Sequence, residues 1–240
     1  MVNKPLLKQS YKSTRFLWFA ITFAMAGMLA QFIFLDFGGQ MVNMIYYNMT
    51  AIVLSGIYVM VSANKLIAVQ VDRGSMAYVL SNPIKRSTVA LTQLIYLIIT
   101  VLGSYTLTTA VHLISAAVKE TGDTAAHIIA LNLGAFLTTL VIAGICFMAS
   151  CIFNLSRHSL GFGGSITAVS FICYFISMFS LFGSENMKIF KYATFITLYD
   201  IDSIISSNGD WIWKFCILAG IAAVTFTIGT VTFIKKDFPL

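Results

Sequence analysis

Residues 45–69 read IYYNMTAIVLSGIYVMVSANKLIAV, an apolar run in which Lys65 is the one charged side chain. Residues 72–93 follow as DRGSMAYVLSNPIKRSTVALTQ, with Asp72, Arg73, Lys85, Arg86 and Pro83 packed into one short interruption. Apolar sequence resumes over 89–118. As a helix, the first run reaches about 38 Å, more than the roughly 30 Å of a bilayer's hydrocarbon core. The pair therefore reads as two membrane spans joined by a polar loop, and this alternation sets the fold class as all-α integral membrane.

Composition agrees. Of the 240 residues 58% are hydrophobic and 10% charged, with a mean hydropathy of +0.87. A soluble domain averages about half apolar and about a quarter charged, so this much apolar surface has no single soluble core to enter. The net charge of +6 fits an excess of Lys and Arg on cytoplasmic loops better than a nucleic-acid surface. Cys146, Cys151, Cys173 and Cys216 all fall inside apolar runs and lack ligand spacing, which makes them packing or lipid-facing residues.

Apolar windows place six spans at roughly 17–35, 45–69, 89–118, 127–153, 160–182 and 211–234. The first follows basic residues as a secretory signal would, but it is long enough to span and reads as a retained helix. The 89–118 run exceeds what crossing requires and is expected to tilt or project. The whole chain, 1–240, reads as one membrane domain without a soluble appendage.

Charge sets the orientation. With the N-terminus inside, the inner face holds Lys4, Lys8, Lys12, Arg15, Lys65, Arg73, Lys85, Arg86, Arg157, Lys235 and Lys236. The outer face holds Lys119, Lys188, Lys191 and Lys214. Eleven cations against four predict that both termini and the 70–88 loop are cytoplasmic, in a multi-pass protein of the cell membrane. The longest connection, 183–210, is then outside. Phe190, Phe195, Leu198, Tyr199, Ile201 and Ile205 recur there at near-helical spacing, predicting an amphipathic helix before the last span that lies at the outer membrane surface or is tucked partly into it. Asn208-Gly209 ends it with a turn, and Trp211 and Trp213 sit at interface depth.

Two absences narrow the function. No Asp or Glu falls inside any of the six windows, where ion-coupled carriers usually keep an ionisable group. His112, near the outer end of its span, reads as a hydrogen-bonded packing residue. There is also no phosphate-binding G-x-x-x-x-G-K-[ST] loop, no H-E-x-x-H and no G-x-S-x-G. The glycine-rich stretch 161–165 opens a membrane run and suits close helix packing. No catalytic residue, metal set or cofactor site is expected on this chain. Uphill transport would draw its energy from another protein.

Within the loop, Asp72 is suited to N-cap a helix over 73–80 whose apolar face would be Met76, Val79 and Leu80, with Tyr78 beside it. Pro83 stops that helix, and Ser87 or Thr88 can cap the next. So short a helix is marginal alone and needs a partner for its apolar face. Arg73, Lys85 and Arg86 suit acidic headgroups or an acidic protein surface.

Residues 64–93, NKLIAVQVDRGSMAYVLSNPIKRSTVALTQ, resemble the first cytoplasmic loop of the type-2 ABC exporter permeases. The matching positions are Asp72, Gly74, Ser75, Leu80, Ser81, Pro83, Ile84 and Arg86. The closing FIKKDFPL, from Phe233, resembles that family's tail, whereas many relatives carry lysine where Gln93 stands. The resemblance implies a membrane domain of two halves, identical or related, each coupled to a separate cytoplasmic ABC ATPase. ATP and Mg would be bound on that partner, and the coupling helix would sit in its cleft. Phe171, Tyr174, Phe175, Met178 and Phe182, with Phe16, Phe19 and Phe23, form aromatic stripes that suit packing or lipid contact. Phe19, Phe23, Phe171, Tyr174, Phe175 and Met178 are also the candidate lining of a transport path. The uncharged spans favour a hydrophobic or amphipathic cargo such as an antimicrobial peptide, a drug or a lipid. Two other readings stand beside this one: a membrane anchor or sensor that only recruits an ATPase, and a stand-alone secondary carrier.

Overall fold

The computed structural model describes residues 3–35, 39, 42–80, 84–119, 124–179, 189–190, 192–206 and 209–236. Among them every regular element is helical, and six helices are long and apolar enough to cross a membrane. Span 1 is Lys4–Phe34, span 2 Val42–Asp72, span 3 Arg86–Lys119, span 4 Ala125–Ile152, span 5 Ser156–Phe179 and span 6 Asp210–Lys235.

Five of these match the apolar windows to within a few residues at each end. Span 1 does not. Its helix begins thirteen residues before the expected position 17, because Asn3 accepts a hydrogen bond from the Leu6 N–H at 3.1 Å and Pro5 suits the first turn. Hydropathy alone could not see these turns, since Lys4, Lys8 and Lys12 dilute the apolar signal. Span 2 is compound: a π-helical stretch Val42–Thr50, an α-helix Ala51–Leu66, a break at Ile67 and a last turn Ala68–Asp72.

Span 4 is the most buried span and packs against spans 2, 3, 5 and 6. Its tightest neighbour is span 6. The two run parallel, and a Cβ added at Gly229 would stand 3.0 Å from the Met148 Cα, so glycine permits the approach. Phe147 and Phe226 meet edge-on in the same seam, with ring centroids 5.7 Å apart.

Spans 1 and 3 are also a parallel pair, joined by polar contacts at a nearly constant sequence offset. Ser10 donates to Gln93 Oε1 at 2.7 Å, Thr14 meets the Tyr96 hydroxyl at 2.5 Å, Trp18 Nε1 donates to the Thr100 carbonyl at 2.8 Å, and Thr22 meets Ser104 at 2.8 Å. In hydrocarbon, where apolar contact with lipid is as good as contact with protein, such bonds help choose the partner helix. Each contributes on average about 0.6 kcal/mol. Farther along, Ser55, Tyr105 and Thr139 form a closed triangle with sides of 2.8 to 3.0 Å, tying spans 2, 3 and 4. His112 Nδ1 lies 2.6 Å from the Tyr47 hydroxyl, which also accepts from Asn132 Nδ2 at 2.8 Å.

The outer face of the bundle is apolar. Phe16, Phe23, Ile114 and Trp213 are each more than 60% exposed, a surface that water would not tolerate over six helices. Between spans 5 and 6 the expected single amphipathic helix is replaced by short pieces: a 3₁₀ turn Phe195–Leu198 and a helix Ile201–Ile205. Both pieces have caps of their own, Thr194 for the first and Asp200 for the second, which is why the segment breaks at Tyr199. Ile196, Tyr199, Ile201 and Ile204 are buried, and Tyr199 donates to the Leu131 carbonyl at 2.9 Å. The segment is tucked into the bundle.

Candidate functional site

Alternating span directions bring Asn3, Lys236 and residues 72–80 and 84–92 to one end. Asn3 N–H donates to Thr92 Oγ1 at 3.1 Å, and Arg86 Nη1 donates to the Lys236 carbonyl at 2.7 Å. All eleven of the cations assigned to the inner face by charge counting belong to this end.

The loop begins where span 2 stops. Arg73 N–H donates back to Val69 O, Gly74 N–H donates to Val71 O, and Gly74 adopts φ +70°. A left-handed glycine just past a helix end is a standard stop, and a side chain there would be strained. The loop helix then runs Ser75–Leu80. Its first residue is held by Ser75 Oγ donating to the Gln70 carbonyl at 3.1 Å.

Asp72 does not cap this helix, as the sequence had led us to expect. It closes the preceding turn, Ala68–Asp72, and its carboxylate accepts from the Ser156 N–H at 3.3 Å. Asp72 thus caps span 5, to which Asn64 Nδ2 also reaches through Ser156 Oγ at 2.8 Å. Ser87 and Thr88 lie inside span 3 instead of capping it, because the Lys85 carbonyl accepts the first N–H groups of that helix.

The apolar face of the loop helix is divided. Met76 is 2% exposed and Val79 packs against the chain's own core, so both already have partners within the bundle. Tyr78 is 78% exposed and points the other way. The Leu80 side chain and Pro83 lie outside the described residues. Among the loop's other described residues Asp72, Arg73, Gly74, Ser75 and Lys85 are exposed, with Ile84 and Arg86 partly covered.

Lys236 completes the end. Its ammonium donates to the carbonyls of Cys151 and Ile152, both at 2.9 Å, satisfying the last carbonyls of span 4. Burial lowers its pKa below lysine's ordinary value, and a charge effect from Cys151 partly opposes this. Spans 2 and 5 are therefore linked through Asp72, Asn64 and Ser156, and spans 3, 4 and 6 through Arg86 and Lys236. The second link joins the loop to the closing motif. Spacing in the sequence gave no sign of either, since the partners lie 84 and 150 residues apart.

The two aromatic stripes do not converge. Span 1 packs on spans 2 and 3, and span 5 on spans 2 and 4, with span 2 between them. Phe19 and Phe23 stack on each other and are exposed, Phe171 and Phe175 are partly buried, and Tyr174 is buried. The Met178 side chain and Phe182 lie outside the described residues. Among the described residues no group of His, Cys, Asp and Glu is placed to hold a metal.

Compared with known proteins, the chain matches no family model and none of the curated proteins.

Proposed function

We propose that the chain is the permease subunit of an ATP-driven ABC exporter, coupling through its loop helix to a separate cytoplasmic ATPase and pairing with a second permease half in the cell membrane. The observation that carries this reading is the loop helix itself: Tyr78 and Arg73 face outward while Met76 anchors the helix to the bundle. A push on that helix reaches span 2 through its glycine-hinged turn and span 5 through Asp72. Arg86, six residues beyond the helix, passes it to spans 4 and 6. An ATPase can bias the membrane domain only as far as it binds two of its conformations differently, and a surface tied to every span but the first is suited to register that difference. ATP and Mg belong to the ATPase, and the cargo is hydrophobic or amphipathic.

The test is purification of the chain from its own membranes. The expected outcome is stoichiometric recovery of an ABC ATPase and hydrolysis of ATP that rises when cargo is supplied. Recovery of an ATPase without cargo-dependent turnover would favour the anchoring role, and transport by the chain alone would favour a secondary carrier.

A further inference from the structure

A groove of about 570 Å³ runs between spans 1 and 3 on the outside of the bundle, in the size range of small-molecule sites, about 300–1,000 Å³. Its walls are overwhelmingly apolar, and its chemistry changes along its length. Lys4 and Lys8 line it at the end where Asn3 and Lys236 lie, with Tyr11 next. Trp18 closes it toward the middle of the bundle, fixed by its Nε1 bond to the Thr100 carbonyl. Gly103 forms the floor beneath that indole: a Cβ there would stand 3.3 Å from Trp18 Cζ2. Among the described residues no acidic side chain lines the groove.

From Lys4 to Trp18 the helix rises about 21 Å, and the exposed Lys12 and Arg15 on this stretch place it across the headgroup layer and the outer part of one leaflet's acyl region. A cationic mouth at headgroup level and an apolar slot leading from it toward the acyl chains match one kind of molecule. We propose that this groove binds an anionic phospholipid, its phosphate on Lys4 and Lys8 and an acyl chain along Tyr11, Ile99 and Gly103 as far as Trp18. A zwitterionic lipid would fill the slot equally well but gain less from two lysines. The lipid would lie against the hydrogen-bonded seam of spans 1 and 3 and hold the seam's inner end together. This inference is independent of the coupling reading.

Trp18 supplies the probe. In a Trp211→Phe/Trp213→Phe background it is the one remaining tryptophan, and brominated acyl chains quench an indole they touch. Purified protein in detergent is titrated with brominated phosphatidylglycerol or brominated phosphatidylcholine. The expected result is saturable quenching by the anionic lipid at a mole fraction roughly tenfold lower than for the zwitterionic one. Lys4→Gln/Lys8→Gln should remove that preference, while Lys12→Gln/Lys65→Gln, with the same loss of charge at the same end, should keep it. Equal quenching by both lipids, equal loss in the two double variants, or no saturable quenching would overturn the proposal, the last being the result if a second copy covers the groove. If the Lys4/Lys8 variant fails to fold, raising salt from about 0.1 M to about 1 M shortens the screening length from about 10 Å to about 3 Å. The preference should then collapse in the parent protein, and a salt-independent preference would contradict the site.

Discussion

The Arg86 guanidinium donates to the main-chain carbonyl of Lys236 at 2.7 Å, and the Lys236 ammonium in turn caps the end of span 4. The first loop and the closing segment, separate signals in the sequence, are one structural unit in the fold. Charge-assisted bonds of this kind are worth about 1.5–3 kcal/mol. Arg86→Ala is expected to lower the thermal midpoint of the purified protein by several degrees, at about 2–4 °C per kcal/mol for a chain this size. Lys236→Met should do likewise. Because the lysine side chain positions the carbonyl that Arg86 uses, the double variant should lose less than the sum. Strict additivity would show that the two contacts act independently.

Asp72 caps span 5 from the far side of the loop. Asp72→Ala removes the acceptor of the Ser156 N–H and should cost about 1 kcal/mol or less, since the carboxylate is exposed. Asp72→Asn keeps an acceptor and should recover most of the midpoint. Equal losses in the two variants would point to charge instead of capping.

At the opposite end, Asp200 receives bonds from Lys214 at 2.5 Å and from Ser203. Burial pushes its carboxyl up, but those bonds outweigh it and hold the pKa below the ordinary value. A depressed carboxyl stabilises the fold above its unfolded pKa, about 3.9, and loses that contribution as pH falls through the folded value. Fluorescence of Trp211 and Trp213 should therefore report loosening of the 195–205 segment only below about pH 4. Asp200→Asn should weaken the segment at neutral pH and flatten that acid response. A parent protein whose segment loosens at higher pH would contradict the assignment.

Gly229 lets spans 4 and 6 touch. A methyl there meets the Met148 backbone at 3.0 Å, which has no flexible tip to yield. Gly229→Ala should cost about 1–3 kcal/mol, the usual range for overpacking, and Gly229→Leu should prevent recovery of a monodisperse protein. Gly27→Ala, where a methyl meets nothing within 4 Å, is the matched control and should be neutral or slightly stabilising.

Orientation can be read by cysteine labelling in a background without the four native cysteines. Ser75→Cys and Ser206→Cys are both exposed and lie at opposite ends. The first should react only from the cytoplasmic side and the second only from outside. The reverse pattern would place the basic end, and the loop helix with it, away from any cytoplasmic ATPase.

The number of spans was legible in the sequence because length and apolarity are local properties: nothing but a span explains residues 127–153. Gly74 was not: the sequence placed it inside a helix over 73–80, whereas its φ of +70° ends span 2 and the loop helix begins only at Ser75. What the sequence hid were pairings. Ser10, Thr14, Trp18 and Thr22 recur every four residues in the first helix, and Gln93, Tyr96, Thr100 and Ser104 nearly so in the third. Each row reads alone as scattered polar residues in lipid; only together do they name a partner helix. Asp72 shows the same limit. Its residue type announced a cap, but the helix it caps is 84 residues away. Met76 looked available for a partner because the periodicity of a short helix shows which residues share a face, not which face the rest of the chain has already covered.

The most direct measurement is recovery of the ATPase with the purified chain after Tyr78→Asp, compared with Tyr192→Asp. Both tyrosines are highly exposed, 78% and 91%, and only the first lies on the loop helix. The expected result is loss of the ATPase from Tyr78→Asp, with membrane insertion and thermal midpoint unchanged, and full retention in Tyr192→Asp. Retention of the ATPase in both variants, or its absence from the parent protein, would contradict the loop helix as the coupling surface.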